Sequence, residues 1–149
     1  MKPAALRDRP LGTCPRCGHR FVNRNSWHSC TRSSLDHHFA GKDSRLRSLY
    51  RAFLSLVREN GPVTVISQKT RIAFMVRVRF AGVVVRRGWI ECAFWLKRRV
   101  DDPRFHRVET YTAHDFGAFF RLKDEAQLDD TLRKWVREAY AIGCQAPRP

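Results

Sequence analysis

The sequence lacks any apolar run long enough to cross a membrane, because arginines interrupt most of its short hydrophobic segments. A spanning helix needs about 20 mostly apolar residues, so we expect no transmembrane helix and no membrane partner. Residues 1–11 carry charge but no apolar stretch. We therefore expect no secretory signal, and we predict a cytoplasmic protein.

Acidic residues are scarce. The chain has 14 Asp and Glu against 29 Lys and Arg, which gives a formal net charge of +15. A charge of this size favours a polyanionic partner, nucleic acid first. The alternative interpretation is an arginine-rich composition whose charges only solvate the surface.

Common catalytic motifs are also missing. There is no G-x-S-x-G, P-loop, H-E-x-x-H or paired-carboxylate nuclease core. The acid–base candidates show no spacing that fixes their mutual geometry; they are Glu91, Asp101, Asp102, Glu109, Asp115, His106 and His114. We therefore expect a non-catalytic protein.

The five cysteines are odd in number, and without a secretory signal we expect no disulfide framework. Three of them have metal-ligand spacing instead. Cys14 and Cys17 form a C-x2-C pair followed by Gly18, and twelve residues separate Cys17 from Cys30, which has His28 two positions before it. Three thiolates and one imidazole suit a closed tetrahedral Zn2+ site. We predict a zinc knuckle formed by Cys14, Cys17, His28 and Cys30.

The fourth ligand has alternatives to His28. His37 or His38 is the alternative to His28, although on a continuous helix His37 would lie about 10 Å along the axis from Cys30. Residues 1–34 hold seven basic residues and one acidic residue, so the module has a charge of +6. A basic knuckle either contacts nucleic acid or is a small cap that zinc folds.

The rest of the chain predicts helices at both ends of a run of strands. Ser33 or Ser34 caps a short helix that ends before Gly41, and Asp43 or Ser44 caps a second helix that ends near Asn60. Asp124 is predicted to cap the final helix. Between them, alternating polarity predicts five strands; they are Thr70–Phe80, Val83–Val85, Trp89–Arg99, Phe105–Tyr111 and Phe116–Leu122.

This order predicts an α+β fold, with an antiparallel sheet of about five strands and helices on one face. Cys92 falls on the apolar side of its strand and is expected in the core. We divide the chain into a zinc module with a basic tail (1–33), an α+β domain (34–143) and a frayed tail (144–149). On the uncovered face the alternation places basic residues with large apolar ones; they are Arg71, Arg77, Arg79, Lys97, Arg99, Met75 and Trp95.

Several stretches resemble a bacterial domain family of unknown function that is met in actinobacterial proteins and sometimes fused to predicted nucleases. The resemblance covers about residues 14–143, and its WHSC favours His28 as a ligand. The stretches are CPRCGHRFVNRNSWHSC, SLDHHFAGK, GPVTVISQKTRIAF, VRFAGV, WLKRRVDDPRF and WVREAYAIG. The resemblance implies this layout and a possible nuclease partner, and it implies no activity.

Two functions follow from the sequence. The first is a non-catalytic module that binds DNA or RNA with low sequence specificity. Its predicted contacts are Arg71, Arg77, Arg79, Arg86, Arg87, Trp95, Lys97 and Arg99. The second is a small-molecule or protein-binding domain with a pocket near Lys69–Phe74, in which zinc is purely structural.

Overall fold

A computed structural model gives the fold and describes residues 10–22 and 33–146. The predicted ligands His28 and Cys30 lie outside these residues, as do most of the predicted N-terminal tail and the last three residues. A short antiparallel hairpin comes first, formed by β1 (Gly12–Thr13) and β2 (Arg20–Phe21). The α+β domain follows it.

The main sheet is antiparallel and has six strands, in the order β3-β4-β5-β6-β8-β7. They are β3 (Thr64–Ser67), β4 (Ile72–Met75), β5 (Arg79–Val85), β6 (Ile90–Leu96), β7 (Phe105–Thr112) and β8 (Asp115–Leu122). The predicted α+β class with an antiparallel sheet is confirmed, but the sheet has six strands where about five were expected. The four-residue strand β3 was not foreseen, because it is too short to show a clear alternation.

Two α-helices precede this run of strands in the sequence and one follows it. They are α1 (Leu35–Phe39), α2 (Ser44–Arg58) and α3 (Asp130–Gly143). The predicted caps of the first two are confirmed. The Ser34 side chain accepts a hydrogen bond from the His37 amide, and Asp43 accepts one from the Arg45 amide at 2.9 Å. Each satisfies an amide that the first helical turn leaves without a partner.

The predicted cap of the last helix is wrong. Asp124 caps a single 3-10 turn, Glu125–Gln127, and the chain leaves helical geometry at Leu128. Asp129 then starts α3, because its extended backbone lets its carboxylate accept from the Leu132 amide at 3.0 Å. Asp124 and Asp129 are only five residues apart, so the sequence pattern did not distinguish the cap of the 3-10 turn from the cap of α3.

All three helices pack on the same face of the sheet and share one core with it. From β6, alternate residues Ile90, Cys92, Phe94 and Leu96 point into this core. Cys92 is fully buried, as expected, and burial raises the pKa of its thiol well above the usual range. Trp135 of α3 lies 4.8 Å from Phe105 between ring centroids.

The predicted strand Thr70–Phe80 does not exist as one strand, because the chain turns back at Val76–Val78. The Arg77 and Val78 amides donate to the Gly143 carbonyl at 2.9 and 3.1 Å, which holds the turn against the end of α3. The pairing then skips a residue, from Phe74–Ala81 to Met75–Arg79. Phe80 is the extra residue of this β-bulge.

Among the described residues, no helix has the length and apolar character that crossing a membrane requires.

The close contact between α3 and the bulge generates a stability prediction. A side chain at Gly143 would overlap the Phe80 ring, with Phe80 Cγ 2.9 Å from its Cβ, and Phe80 is fully buried and has no room to move. We expect Gly143→Ala to lower the free energy of unfolding by about 1–3 kcal/mol, the usual cost of overpacking.

Urea denaturation measures this loss, with Gly88→Ala as the matched control. A Cβ at Gly88 would meet nothing within 4 Å, so that variant should stay within about 0.5 kcal/mol of the parent. Equal stability of the two variants would show that α3 does not press on Phe80.

Candidate functional site

The N-terminal hairpin carries the first half of the predicted zinc site. Cys14 and Cys17 lie on its tight turn, where the Cys14 amide donates to the His19 carbonyl at 2.8 Å and the Gly18 amide to the Cys14 carbonyl at 2.9 Å. Gly18 has φ = +74°, a conformation that favours glycine. Within residues 10–22 and 33–146, no three His, Cys, Asp or Glu side chains are grouped to hold a metal. The four-ligand set therefore stays a prediction, since two of its members lie outside that part of the chain.

The alternative ligands His37 and His38 sit on α1. His37 is exposed, whereas His38 is 5% exposed and its Nε2 lies 3.0 Å from the Ser67 hydroxyl. Burial lowers the pKa of His38, and the neighbouring His37 lowers it further. This contact connects α1 to the edge strand β3.

The face of the sheet opposite the helices contains a cleft. Cross-strand pairing aligns one residue from each of five strands in a row across it: Ala73, Gly82, Ala93, Phe119 and Arg107. The first three positions have almost no side chain, so the middle of the sheet is a bare floor. The resulting cavity measures about 420 Å³.

The walls of the cleft combine arginines, carboxylates and aromatic rings. Four arginines and two glutamates line it, together with Trp95, Tyr111 and Phe119; the charged residues are Arg71, Arg79, Arg86, Arg107, Glu91 and Glu109. Tyr111 is 47% exposed and is the one large apolar side chain among the described residues that is classed as exposed. An exposed ring at the rim of a cleft is a typical stacking surface.

Four of the predicted contacts meet at this cleft. Arg71, Arg79, Arg86 and Trp95 all line it, although they come from β4, β5 and β6 or the turns beside these strands. Arg79 reaches the open face because of the bulge at Phe80. Its guanidinium also approaches the Gln68 side chain at 3.5 Å.

The other four predicted contacts lie elsewhere. Arg77 sits in the turn against α3, where its Nε donates to Gln145 at 3.0 Å, and Arg87 is in the β5–β6 turn. Lys97 forms an ion pair with Asp115, and Arg99 forms one with Asp101 at 3.0 Å. The prediction extended the strand alternation past the real ends of β4 and β6, which assigned Arg77, Lys97 and Arg99 to a face that they do not share. Arg87 was predicted in the hairpin turn, where it lies.

The sequence reasoning missed the contribution of β7. Arg107, Glu109 and Tyr111 alternate along that strand, which was a usable signal, but nothing in the sequence placed them beside the arginines of β4 and β5. Arg107 lies 4.0 Å from the centroid of Phe119. It also approaches Glu91 at 3.4 Å and Glu109 at 3.3 Å. These three contacts together fix the orientation of the Arg107 guanidinium.

Glu91 is the centre of this network. Its side chain is only 11% exposed, and it faces Arg86 at 3.3 Å, Arg107 at 3.4 Å and His106 at 3.7 Å. Ion pairs near a surface contribute roughly 0–1 kcal/mol each. The network therefore does more to orient side chains around the cleft than to stabilise the fold.

The chain of contacts continues to Tyr111, whose hydroxyl donates to Glu109 at 2.8 Å. Burial raises the pKa of Tyr111 to about 12, and the hydrogen bond and charge of Glu109 act in the same direction. Arg107 and Arg71 oppose this rise.

Comparison with known proteins identifies a family. A family model described as a domain of unknown function, DUF5655, matches residues 35–143. No curated protein and no solved structure matches this chain.

The Glu91 network generates a prediction about His106. Burial lowers the pKa of His106, the Glu91 charge raises it, and nearby arginines lower it again. Replacing Glu91 with Gln removes the one raising influence, so we expect Glu91→Gln to lower the pKa of His106 further. NMR titration of the imidazole signals measures this change.

Glu138→Gln is the matched control, because Glu138 pairs with Arg98 on α3 instead. It should leave the His106 titration unchanged. An unchanged pKa of His106 in Glu91→Gln would mean that the carboxylate does not face this imidazole.

Proposed function

We propose that this chain, which belongs to the DUF5655 family of domains of unknown function, is a non-catalytic module that binds single-stranded nucleic acid on the open face of its sheet. The observation that carries the proposal is the cleft itself, where arginines, the exposed ring of Tyr111 and the partly exposed rings of Trp95 and Phe119 surround a floor of small residues. Proteins that bind single strands combine a basic groove for the phosphates with aromatic side chains on which bases stack.

The distribution of charge supports the same function. Arg71 and Arg79 line one end of the cleft and bring two positive charges to a face that the helices leave open. Phosphate contacts of this kind carry affinity but no sequence information. We therefore expect the phosphate contacts to contribute equally to the binding of strands of any sequence.

A zinc knuckle is the second part of the proposal. Cys14 and Cys17 share a tight turn that suits two thiolates on one ion, and Cys30 with His28 would complete the set. The ion would fold the basic N-terminal module and hold it beside the domain as an additional contact for nucleic acid. A nuclease partner is the further proposal that the family resemblance supports.

A second candidate function is the binding of a small molecule, with zinc purely structural. One observation favours it, because Thr70, Arg71, Ile72 and Ala73 line the cleft at the place where a pocket was expected for this alternative. A volume of about 420 Å³ falls within the usual range of ligand sites. Binding of small anions without any binding of oligonucleotides would favour this function.

The zinc proposal predicts one equivalent of zinc per purified chain. Cys14→Ser and Cys17→Ser should each lose the metal, since a structural site that lacks one thiolate holds zinc far more weakly. Elemental analysis after dialysis measures the content, and Cys144→Ser is the control that should keep it.

The same measurement decides the fourth ligand. His28→Asn should lose zinc, whereas His37→Asn and His38→Asn should retain it. Full zinc in His28→Asn, with loss in one of the other two, would transfer the role to that residue.

The nucleic-acid proposal predicts that Arg71→Gln combined with Arg79→Gln weakens binding to single-stranded DNA and RNA about tenfold at near-physiological salt, because two charged contacts are lost. The slope of log affinity against log salt should become shallower by about 1.4, since each lost phosphate contact removes about 0.7. Fluorescence anisotropy across a salt series measures both.

Arg51→Gln combined with Arg58→Gln is the control, because it removes the same charge from exposed positions on α2, on the helical side of the domain. It should keep most of the affinity. Equal losses in the two double variants would show that only net charge matters and that the cleft is not the binding face.

A further inference from the structure

The cleft has two chemically different ends. On the β7 side, Arg86 and Arg107 are balanced by Glu91 and Glu109 in one network that ends at the Tyr111 hydroxyl. Arg71 and Arg79 line the cleft on the β4 and β5 side, where the Arg79 guanidinium approaches the Gln68 side chain at 3.5 Å. One end therefore suits an anion, and the other suits a neutral group that forms hydrogen bonds.

The two carboxylates keep capacity to accept further hydrogen bonds. An ionised carboxylate has about four acceptor sites and no donor. Glu109 uses one oxygen for Tyr111 and meets Arg107 at 3.3 Å, while the contacts of Glu91 are 3.3 Å or longer. Tight charge-assisted pairs in proteins have distances of about 2.7–2.9 Å. Because these ion pairs are longer and therefore weaker, a bound donor can also hydrogen-bond to both carboxylates.

The shape of the cleft suits a single flat group. Its floor is formed by Ala73, Gly82 and Ala93, and its sides carry the rings of Trp95, Phe119 and Tyr111. Gly117 lies between Trp95 and Glu109 in the next row across the sheet, and the Tyr111 hydroxyl occupies the space that a side chain there would need. A volume of about 420 Å³ is of the size that holds one small ligand.

We propose that this cleft seats one unstacked guanine nucleotide, with its phosphate at Arg71 and Arg79 and the donor edge of its base at Glu109 and Glu91. This inference rests on the proposed function, because it takes the nucleotide to be part of a single strand. Guanine presents adjacent N1–H and N2–H2 donors, which match an acceptor-only carboxylate in pairs. Adenine and cytosine offer one amino donor beside an acceptor, and that acceptor would face the carboxylate.

The test uses the full chain and labelled oligothymidine strands that carry one central guanine, adenine, cytosine or abasic position. We expect the guanine strand to bind about tenfold more tightly than the other three, since a matched bidentate contact discriminates by about that factor. Guanosine monophosphate should displace it, and adenosine monophosphate should compete far less.

Two variants locate the effect. Ala93→Phe fills the floor of the cleft, and Glu109→Gln replaces an acceptor with an amide that also donates. Both should abolish the guanine preference while the salt-dependent binding of plain oligothymidine remains. Ala141→Phe and Glu138→Gln are the matched controls on α3, and both should keep the preference.

The outcomes separate this inference from the proposed function. Oligonucleotides that bind equally well with any base, or a preference that survives Ala93→Phe, would overturn the guanine seat and leave strand binding intact. Guanosine monophosphate binding without oligonucleotide binding would support the seat and overturn the strand as its source. Binding of neither would overturn both.

Discussion

A single extra residue in the pairing of β4 with β5 decides which side chains face the helices and which face the cleft. Strict alternation from Ala81 would put Phe80 on the open face and Arg79 against a core of phenylalanines, where a charged group is costly. The bulge turns Phe80 beneath Gly143 and brings Arg79 to the cleft. The turn at Val76–Val78, held by the Gly143 carbonyl, sets this register. The helix layer and the candidate site therefore depend on the same local irregularity.

Much of the fold could be predicted from the sequence because its signals are local. The apolar spacing of α2, the caps Ser34 and Asp43 and the alternation of β6 each depend on neighbours within a few residues. The turn at Val76–Val78 could not be predicted, since it contains neither glycine nor proline and continues the alternation of its strands. Its stability comes from hydrogen bonds to Gly143, far along the chain. A signal of that kind is tertiary and leaves no trace in the local pattern.

The candidate site was predictable to a similar extent. Arg71 and Trp95 follow from alternation in strands that are also neighbours in sequence, and Arg86 follows from the predicted turn after β5. Arg79 reaches the cleft through the bulge at Phe80, which alternation does not predict. Arg107, Glu109 and Tyr111 line the cleft on β7, which the strand order β6-β8-β7 places one strand beyond β8. Strand order of this kind is set by the pairing of whole hairpins. The sequence therefore did not predict that Glu91 and Glu109 make one end of the cleft chemically different from the other.

The position of β8 between β6 and β7 also determines the order in which the strands can pair as the chain is synthesised. β7 has a single neighbour in the sheet, and that neighbour is made after it. On the ribosome, the first four strands of the sheet can pair as each one emerges, whereas β7 must wait with its amides and carbonyls unpaired until β8 has followed. Strands left open in this way are exposed to wrong partners. The interval is short, because β7 and β8 are joined by a tight turn, and α3 emerges soon afterwards to cover the apolar side. The arginine–glutamate wall of the cleft is consequently the last part of the sheet to take shape.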